Sequence, residues 1–231
     1  MAIYLRNNPE SRFFSKKGLI LGGSHSPSPL NSEAHQGDLS AVLLQNLNPL
    51  VNLIRVPKKP IILMDEWESK IKAIVENTWN KDVNSLSGVP SWMLVLIKAV
   101  LKKTGREYLT DVWPNLEVFF HGGISFEPYR EQYKTLIPSN KMHYMETYNA
   151  SEGFFGLQDD PTDPSLLMMP DYGIFYEFIP MDEIDRETPN VVPLWGVETG
   201  KNYAVVISTS AGLWRYMICL LYTSDAADDK A

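Results

Sequence analysis

Met142-His143-Tyr144-Met145-Glu146-Thr147-Tyr148-Asn149-Ala150-Ser151-Glu152-Gly153 sets an apolar, strand-like run directly before an aromatic, three small or polar residues, a carboxylate and a glycine. A strand ending in this order carries a flat ring and an acid to the mouth of a sheet, where α/β proteins bind ligands. The ring can cover a nucleobase, and stacking of that kind is worth roughly 1–3 kcal/mol per base. Taken alone, a single acid after a strand says little, and a tyrosine at a strand end serves equally well as core.

Outward from this stretch, strand-like and helix-like segments alternate, which argues for an α/β fold. Leu116-Glu117-Val118-Phe119-Phe120 reads as a buried strand, followed by Gly122-Gly123 and a helix from Glu127 to about Leu136. Upstream, Gly18 to Gly23 reads as a short strand, Ser24 to Pro29 as a loop and Asp38 to Leu47 as a helix. Asp65 can cap a further helix with Trp67, Ile71, Ile74, Val75 and Thr78 on one face. Val89-Pro90 opens another, with Met93, Leu96, Ile97, Val100 and Leu101 at core spacing. Beyond Gly156 the pattern turns β-rich, with strands expected at Leu166 to Met169, Gly173 to Ile179, Val191 to Leu194 and Tyr203 to Thr209. The expected architecture is one of mixed sheets flanked by helices, more β-rich after residue 156.

Composition narrows the function classes. The 231 residues are 44% hydrophobic, enough for a full-sized core. The formal charge of −7 with no Lys/Arg-rich block argues against a nucleic-acid backbone or an anionic membrane surface as partner. No apolar run reaches the ~20 residues of a membrane-spanning helix, and a cytoplasmic location is the expectation. Cys219 is the single cysteine, which excludes an internal disulfide framework and a cysteine-rich zinc site. His25, His35, His121 and His143 are scattered without ligand spacing. Ser151 lacks the glycine-flanked elbow of a hydrolase nucleophile.

The segment Tyr148 to Gly156 resembles the aromatic-to-glutamate motif of adenylate-forming enzymes, which join a carboxylic acid to AMP. Together with His121-Gly122-Gly123-Ile124, Asp171 to Pro180, and Val197-Glu198-Thr199-Gly200-Lys201 leading to Ala211-Gly212-Leu213-Trp214-Arg215-Tyr216, it resembles the Gretchen Hagen, auxin-responsive family of acyl acid amido synthetases, in a bacterial type. The resemblance implies a fragment of the large N-terminal domain of an ATP- and Mg²⁺-dependent ligase that passes an acyl group to an amine, with a carboxylic acid and an amino acid as small-molecule partners.

Carried onto this chain, the resemblance makes Glu152 the catalytic acid that approaches the metal and phosphates, a role suited to Mg²⁺, which takes one or two carboxylates beside phosphate oxygens and waters. It assigns Tyr148 to adenine stacking with Asn149 and Ala150 beside it, and Gly122, Gly123 and Ile124 to the adenine-supporting strand end. Ser151 is weighed as a phosphate contact or a turn residue, and Arg215 as a phosphate contact or a pin to a carboxylate. Val89 and Pro90 are expected to flank the acyl pocket, and Phe154 and Phe155 to line it unless they are core.

Residues 1–218 read as an internal part of that large domain, and residues 219–231 as a non-native tail similar to a translated sequencing adapter. The family's Ser/Thr/Gly-rich phosphate loop is absent, and Cys219-Leu220 stands where the family has a ribose-binding Gly-Asp pair. The chain by itself is therefore expected to be inactive. An acid–coenzyme A ligase fragment and a non-catalytic nucleotide- or acyl-binding module are the alternatives the sequence leaves open, and the oligomeric state is not legible.

Overall fold

The computed structural model describes residues 1–27 and 35–218, so the expected adapter-like tail lies outside the described residues. The chain forms two compact units, Met1–Thr147 and a second beginning at Tyr148. The stretch expected to be a single internal portion of one domain thus holds two such units.

In the first unit, five parallel strands stand in the order β4-β1-β5-β6-β7: β1 is Lys17–Ile20, β4 Arg55–Val56, β5 Val83–Gly88, β6 Val118–Gly122 and β7 begins at His143. A small antiparallel pair joins β2 (His25–Pro27), inside the segment expected to be loop, to β3 (His35–Gly37) beyond it. Its three ladder positions, among serine and proline, carry no period-2 apolar signal. The helices are α1 (Ala2–Asn7), α2 (Leu39–Gln45), α3 (Val51–Ile54), α4 (Lys59–Ile62), α5 (Trp67–Thr78), α6 (Pro90–Thr104), α7 (Leu109–Val112) and α8 (Arg130–Leu136).

Apolar spacing explains the layers. On α5 and α6 the residues expected on one face, including Ile71, Ile74, Met93, Leu96, Ile97 and Val100, are buried in one cluster with Leu19, Leu86 and Phe119 of the sheet. The opposite face of the sheet, through Val118 and Met145, packs against Tyr4 and Phe13. Alternation along β6 thus sends Phe119 to one layer and Val118 to the other, as a strand covered on both faces requires. Cap chemistry corrects one expectation. Glu66, not Asp65, caps α5, its carboxylate accepting from the backbone N–H groups of Glu68 (2.9 Å) and Ser69 (2.7 Å). Asp65 instead accepts from the N–H of Glu66.

The pairing of β6 with β7 sets Gly122 opposite Thr147. A Cβ on Gly122 would lie 2.2 Å from the Thr147 carbonyl oxygen, so only glycine fits there. One residue earlier, His121 is 3% exposed and stacks on Phe126 with ring centroids 4.2 Å apart. Phe126 also stacks on Tyr144 at 4.9 Å and carries the Arg130 guanidinium 5.2 Å above its ring. Burial, then the nearby Arg130 charge, pulls the His121 pKa down to about 3.

The second unit is β-rich. β7 runs on to Ala150, and β8 (Gly153–Leu157) pairs antiparallel with β9 (Leu167–Met168). A four-stranded antiparallel sheet has the order β11-β10-β12-β13, with β10 at Ile174–Pro180, β11 at Val192–Pro193, β12 at Tyr203–Thr209 and β13 at Tyr216–Met217. Period-2 alternation on β10 buries Ile174, Tyr176 and Phe178 against Phe155, Val205 and Ile207, which form this unit's core.

Two outcomes follow from the first unit. Gly122→Ala should destabilise the chain by about 2 kcal/mol or more through backbone overpacking, read as a lower urea midpoint with unchanged m-value. His121 is held neutral in the folded state, so its contribution is fully present above the unfolded pKa of 6.5 and is lost as pH falls toward about 3. Stability should therefore drop on acidification from pH 6.5 with a slope of up to ~1.4 kcal/mol per pH unit from this group, and His121→Phe should flatten that part of the profile.

Candidate functional site

Within the first unit, the expected positions converge at the carboxyl ends of β5 and β6. Gly88 leaves β5 at φ 155°, Val89 caps α6 and Pro90 takes its first turn, where a missing N–H costs nothing. Tyr133 of α8 fixes this corner by donating from its hydroxyl to the Pro90 carbonyl at 2.8 Å, and burial raises its phenol pKa. Gly123 adopts φ 85°, and a Cβ there would lie 3.6 Å from Val89 Cγ2. The structure thus brings Gly123 and Val89 together. The two glycines differ in origin: Gly122 is small because the Thr147 carbonyl is against it, and Gly123 because its backbone is left-handed. Ile124 follows, 39% exposed.

Sequence reasoning passed over the polar groups on the same strands. His121 pairs in register with Glu146, and Phe119 with Tyr144. Burial raises the Glu146 carboxyl pKa, against the opposing pull of Arg130 and with a further push from Glu127. Burial also pushes the Tyr144 phenol up to about 12. The available signal was alternation: residues 119 and 121, and 144 and 146, lie two apart on neighbouring strands and so share a face.

Within the second unit, Ser151 and Glu152 form the two-residue turn between β7 and β8, Ser151 exposed and Glu152 half-buried. Gly153 closes the turn because a Cβ there would sit 2.7 Å from Ile174 Cδ1. Among the described residues no ion pair holds Glu152, and no cluster of three His, Cys, Asp or Glu is placed to bind a metal. A Mg²⁺ that draws most of its oxygens from phosphates and waters needs only one or two protein carboxylates, so Glu152 fits such an ion without a cluster.

Tyr148 is half-buried, its ring 5.0 Å from that of Phe155 at 54°. With Phe155, Met168, Tyr176 and Val205 it lines an apolar cavity of about 20 Å³, room for little more than one water and far too small for a nucleobase. One side of the ring therefore serves the core, the alternative the sequence left open. Asn149 and Ala150 continue the strand beside it.

Phe154 and Phe155 do not line a common pocket. They are consecutive on β8, so their side chains leave by opposite faces. Phe155 is 3% exposed in the core, whereas Phe154 faces Tyr172 at 6.0 Å. Of the two uses weighed for Arg215, the carboxylate pin is the one present: its Nε donates to Glu177 Oε2 at 3.1 Å, and its backbone, at φ 46°, donates to Ser208 Oγ at 2.9 Å.

Comparison with known proteins agrees with both units. The model of the GH3 family N-terminal domain matches residues 1–142, and that of the GH3 family central domain matches residues 167–219. Among curated relatives, the Arabidopsis thaliana indole-3-acetic acid-amido synthetase GH3.3 is 34% identical over 118 residues, covering 48% of this chain and 19% of the relative. The jasmonoyl–L-amino acid synthetase GH3.5 of Oryza sativa subsp. japonica is 36% identical over 125 residues, covering 46% of this chain and 21% of the relative. The chain thus spans about a fifth of the length of these relatives. A solved GH3.15 acyl acid amido synthetase shares the fold, with TM-score 0.68, 16% identity and coverage of 92% of this chain and 46% of that one. The matched N-terminal domain alone takes in more than half of the 231 residues, and the chain belongs to the GH3 family.

Proposed function

We propose that this chain is part of an ATP-dependent acyl acid amido synthetase, which adenylates a carboxylic acid and passes the acyl group to an amine of an amino acid. The observation that carries the reading is that two consecutive family models flank Tyr148–Gly156, the segment that holds the ring, the turn and the unpaired carboxylate. The amido synthetase names of the curated relatives support the same chemistry. The curated relatives compared are plant proteins, not the bacterial type that the resemblance implied. No helix among the described residues is long and apolar enough to cross a membrane, and we place the enzyme in the cytoplasm.

Adenylation requires an oxygen of the acid to attack the α-phosphorus of ATP as pyrophosphate leaves, with charge accumulating on the phosphate oxygens. Catalysis of such a step is mostly positioning and electrostatics. Glu152 is the residue that would hold Mg²⁺, which supplies counter-charge to the phosphates when bound. Glu152 sits in the turn before Gly153, and among the described residues no ion pair holds it, which leaves the carboxylate available for the metal. Tyr148 offers the ring side turned away from Phe155 to adenine, with Asn149 and Ala150 alongside. Within the first unit, Gly122, Gly123, Ile124 and Val89-Pro90 lie at the carboxyl ends of β5 and β6, the edge of the sheet where α/β folds bind ligands. Arg215 acts on the strand end rather than on phosphate, and Phe155 is core.

Carboxylate-dependent ATP–pyrophosphate exchange tests the assignment. In the uninterrupted protein, Glu152→Gln should lower exchange by roughly 10²–10³-fold, the scale of one preorganised charge contact, and an unchanged rate would remove Glu152 from the mechanism. The 231-residue chain alone should show no exchange with any carboxylic acid, and measurable turnover would contradict the expectation that it is only part of the machinery.

A further inference from the structure

Two cationic side chains of the first unit, Lys70 and Arg55, are buried without an ion-pair partner among the described residues; Lys70 is satisfied by the Gly22 and Gly23 carbonyls, whereas Arg55 is not, and it lies outside every residue assigned above. Arg55 opens β4, the edge strand of the parallel sheet, with Gly18 of β1 opposite it. It is 5% exposed. Its Nη2 donates to the side-chain oxygen of Asn52, a neutral acceptor. Its Nε and Nη1 are also buried, and among the described residues neither has a hydrogen-bond partner. These two atoms carry three of the five N–H donors of a guanidinium.

The surroundings deepen the imbalance. In a chain of formal charge −7, the 26 residues between Asp38 and Asp65 contain Arg55, Lys58 and Lys59 and no acid. Lys59 donates to the Gln45 carbonyl at 2.7 Å, and Lys17 of β1 donates to the Leu53 carbonyl at 2.6 Å, two residues from Arg55. Cations therefore gather at this edge with backbone oxygens as their acceptors. Arginine stays protonated in proteins, so it cannot escape burial by neutralising itself, and an uncompensated buried charge is among the costliest features a fold can carry. A planar guanidinium with open donors matches the oxygens of a carboxylate or a phosphate.

We propose that Arg55 is the receptor for an oxyanion, a carboxylate or phosphate group, bound at the β4 edge of the parallel sheet. The bound group accepts from Nε and Nη1 and supplies the counter-charge that no acid among the described residues provides. This does not rest on the ligase reading, because binding is measured without ATP or an activatable acid and survives or fails separately from exchange activity.

The test is isothermal titration of the 231-residue chain at constant ionic strength, with chloride replaced by inorganic phosphate in one arm and acetate in the other. Saturable binding of one equivalent in the millimolar range or tighter is expected in at least one arm, and the responding arm identifies the group as phosphate or carboxylate. Arg55→Met should lose that binding at least tenfold. Arg55→Lys keeps the charge but not the planar donors and should also weaken it at least tenfold, which keeps the test alive if the methionine variant does not fold. Absence of saturable binding in both arms, or undiminished binding by Arg55→Lys, overturns the proposal.

Discussion

The contact on which the rest of the first unit depends is the close approach of β7 to β6 at Gly122, where the Thr147 carbonyl occupies the place a side chain would take. Parallel strands cannot be joined by a tight turn, so their register must be set by what packs between and around them. Here it is set by a glycine at one end and by interleaved rings further back, with Phe119 stacked on Tyr133 at 5.2 Å and Phe126 between His121 and Tyr144 in a stack. A slip of β7 by one residue would turn Glu146 to the opposite face, the layer of Tyr4 and Phe13, and bring Met145 out of it. The register that buries the rings also fixes the point at which Thr147 hands the chain on to Tyr148.

That packing has an electrostatic consequence. The aromatic layer keeps His121 neutral and raises the Glu146 carboxyl and the Tyr144 phenol, all through burial. Arg130 acts on all three, disfavouring a charged imidazole and favouring charged Glu146 and Tyr144. Its own carboxylate partner, Glu127 at 2.6 Å, is the i,i+3 neighbour on the exposed side. A pair so exposed adds at most about 1 kcal/mol, so the Arg130 stem and its placement over Phe126 matter more to the layer than the ion pair does.

Most of this fold was legible because burial leaves a periodic trace. The helical faces of α5 and α6, the alternation of β10 and the continuous apolar run of β12 follow from apolar spacing, and Tyr203–Thr209 was bounded correctly to the residue. Features decided by one hydrogen bond or one neighbour were not. Glu66 and Asp65 are adjacent acids, and which of them caps α5 depends on a backbone angle that no composition records. Phe154 and Phe155 read as a pair in one dimension, yet a strand separates them. His121 looked like a scattered histidine because its partners Phe126 and Tyr144 are distributed over a loop and the next strand. The site residues were legible only through their resemblance to a family, since a turn acid and a strand-end ring have no periodicity to betray them.

The contrast between Glu152 and Glu177 shows what the structure adds. Both are half-buried glutamates of the second unit, and by composition they are equivalent. Glu177 lies on β10, opposite Val206 in the ladder, and its carboxylate accepts from Arg215, whose positive φ brings its side chain back toward the sheet. Its charge is thereby spent on holding the chain end. Glu152 lies in a turn too short to offer a neighbouring cation, between Ser151 and a glycine that Ile174 keeps small. A carboxylate that no described residue pairs with contributes little to stability, and the metal role proposed for Glu152 would use it where a hard cation arrives with its own phosphate oxygens.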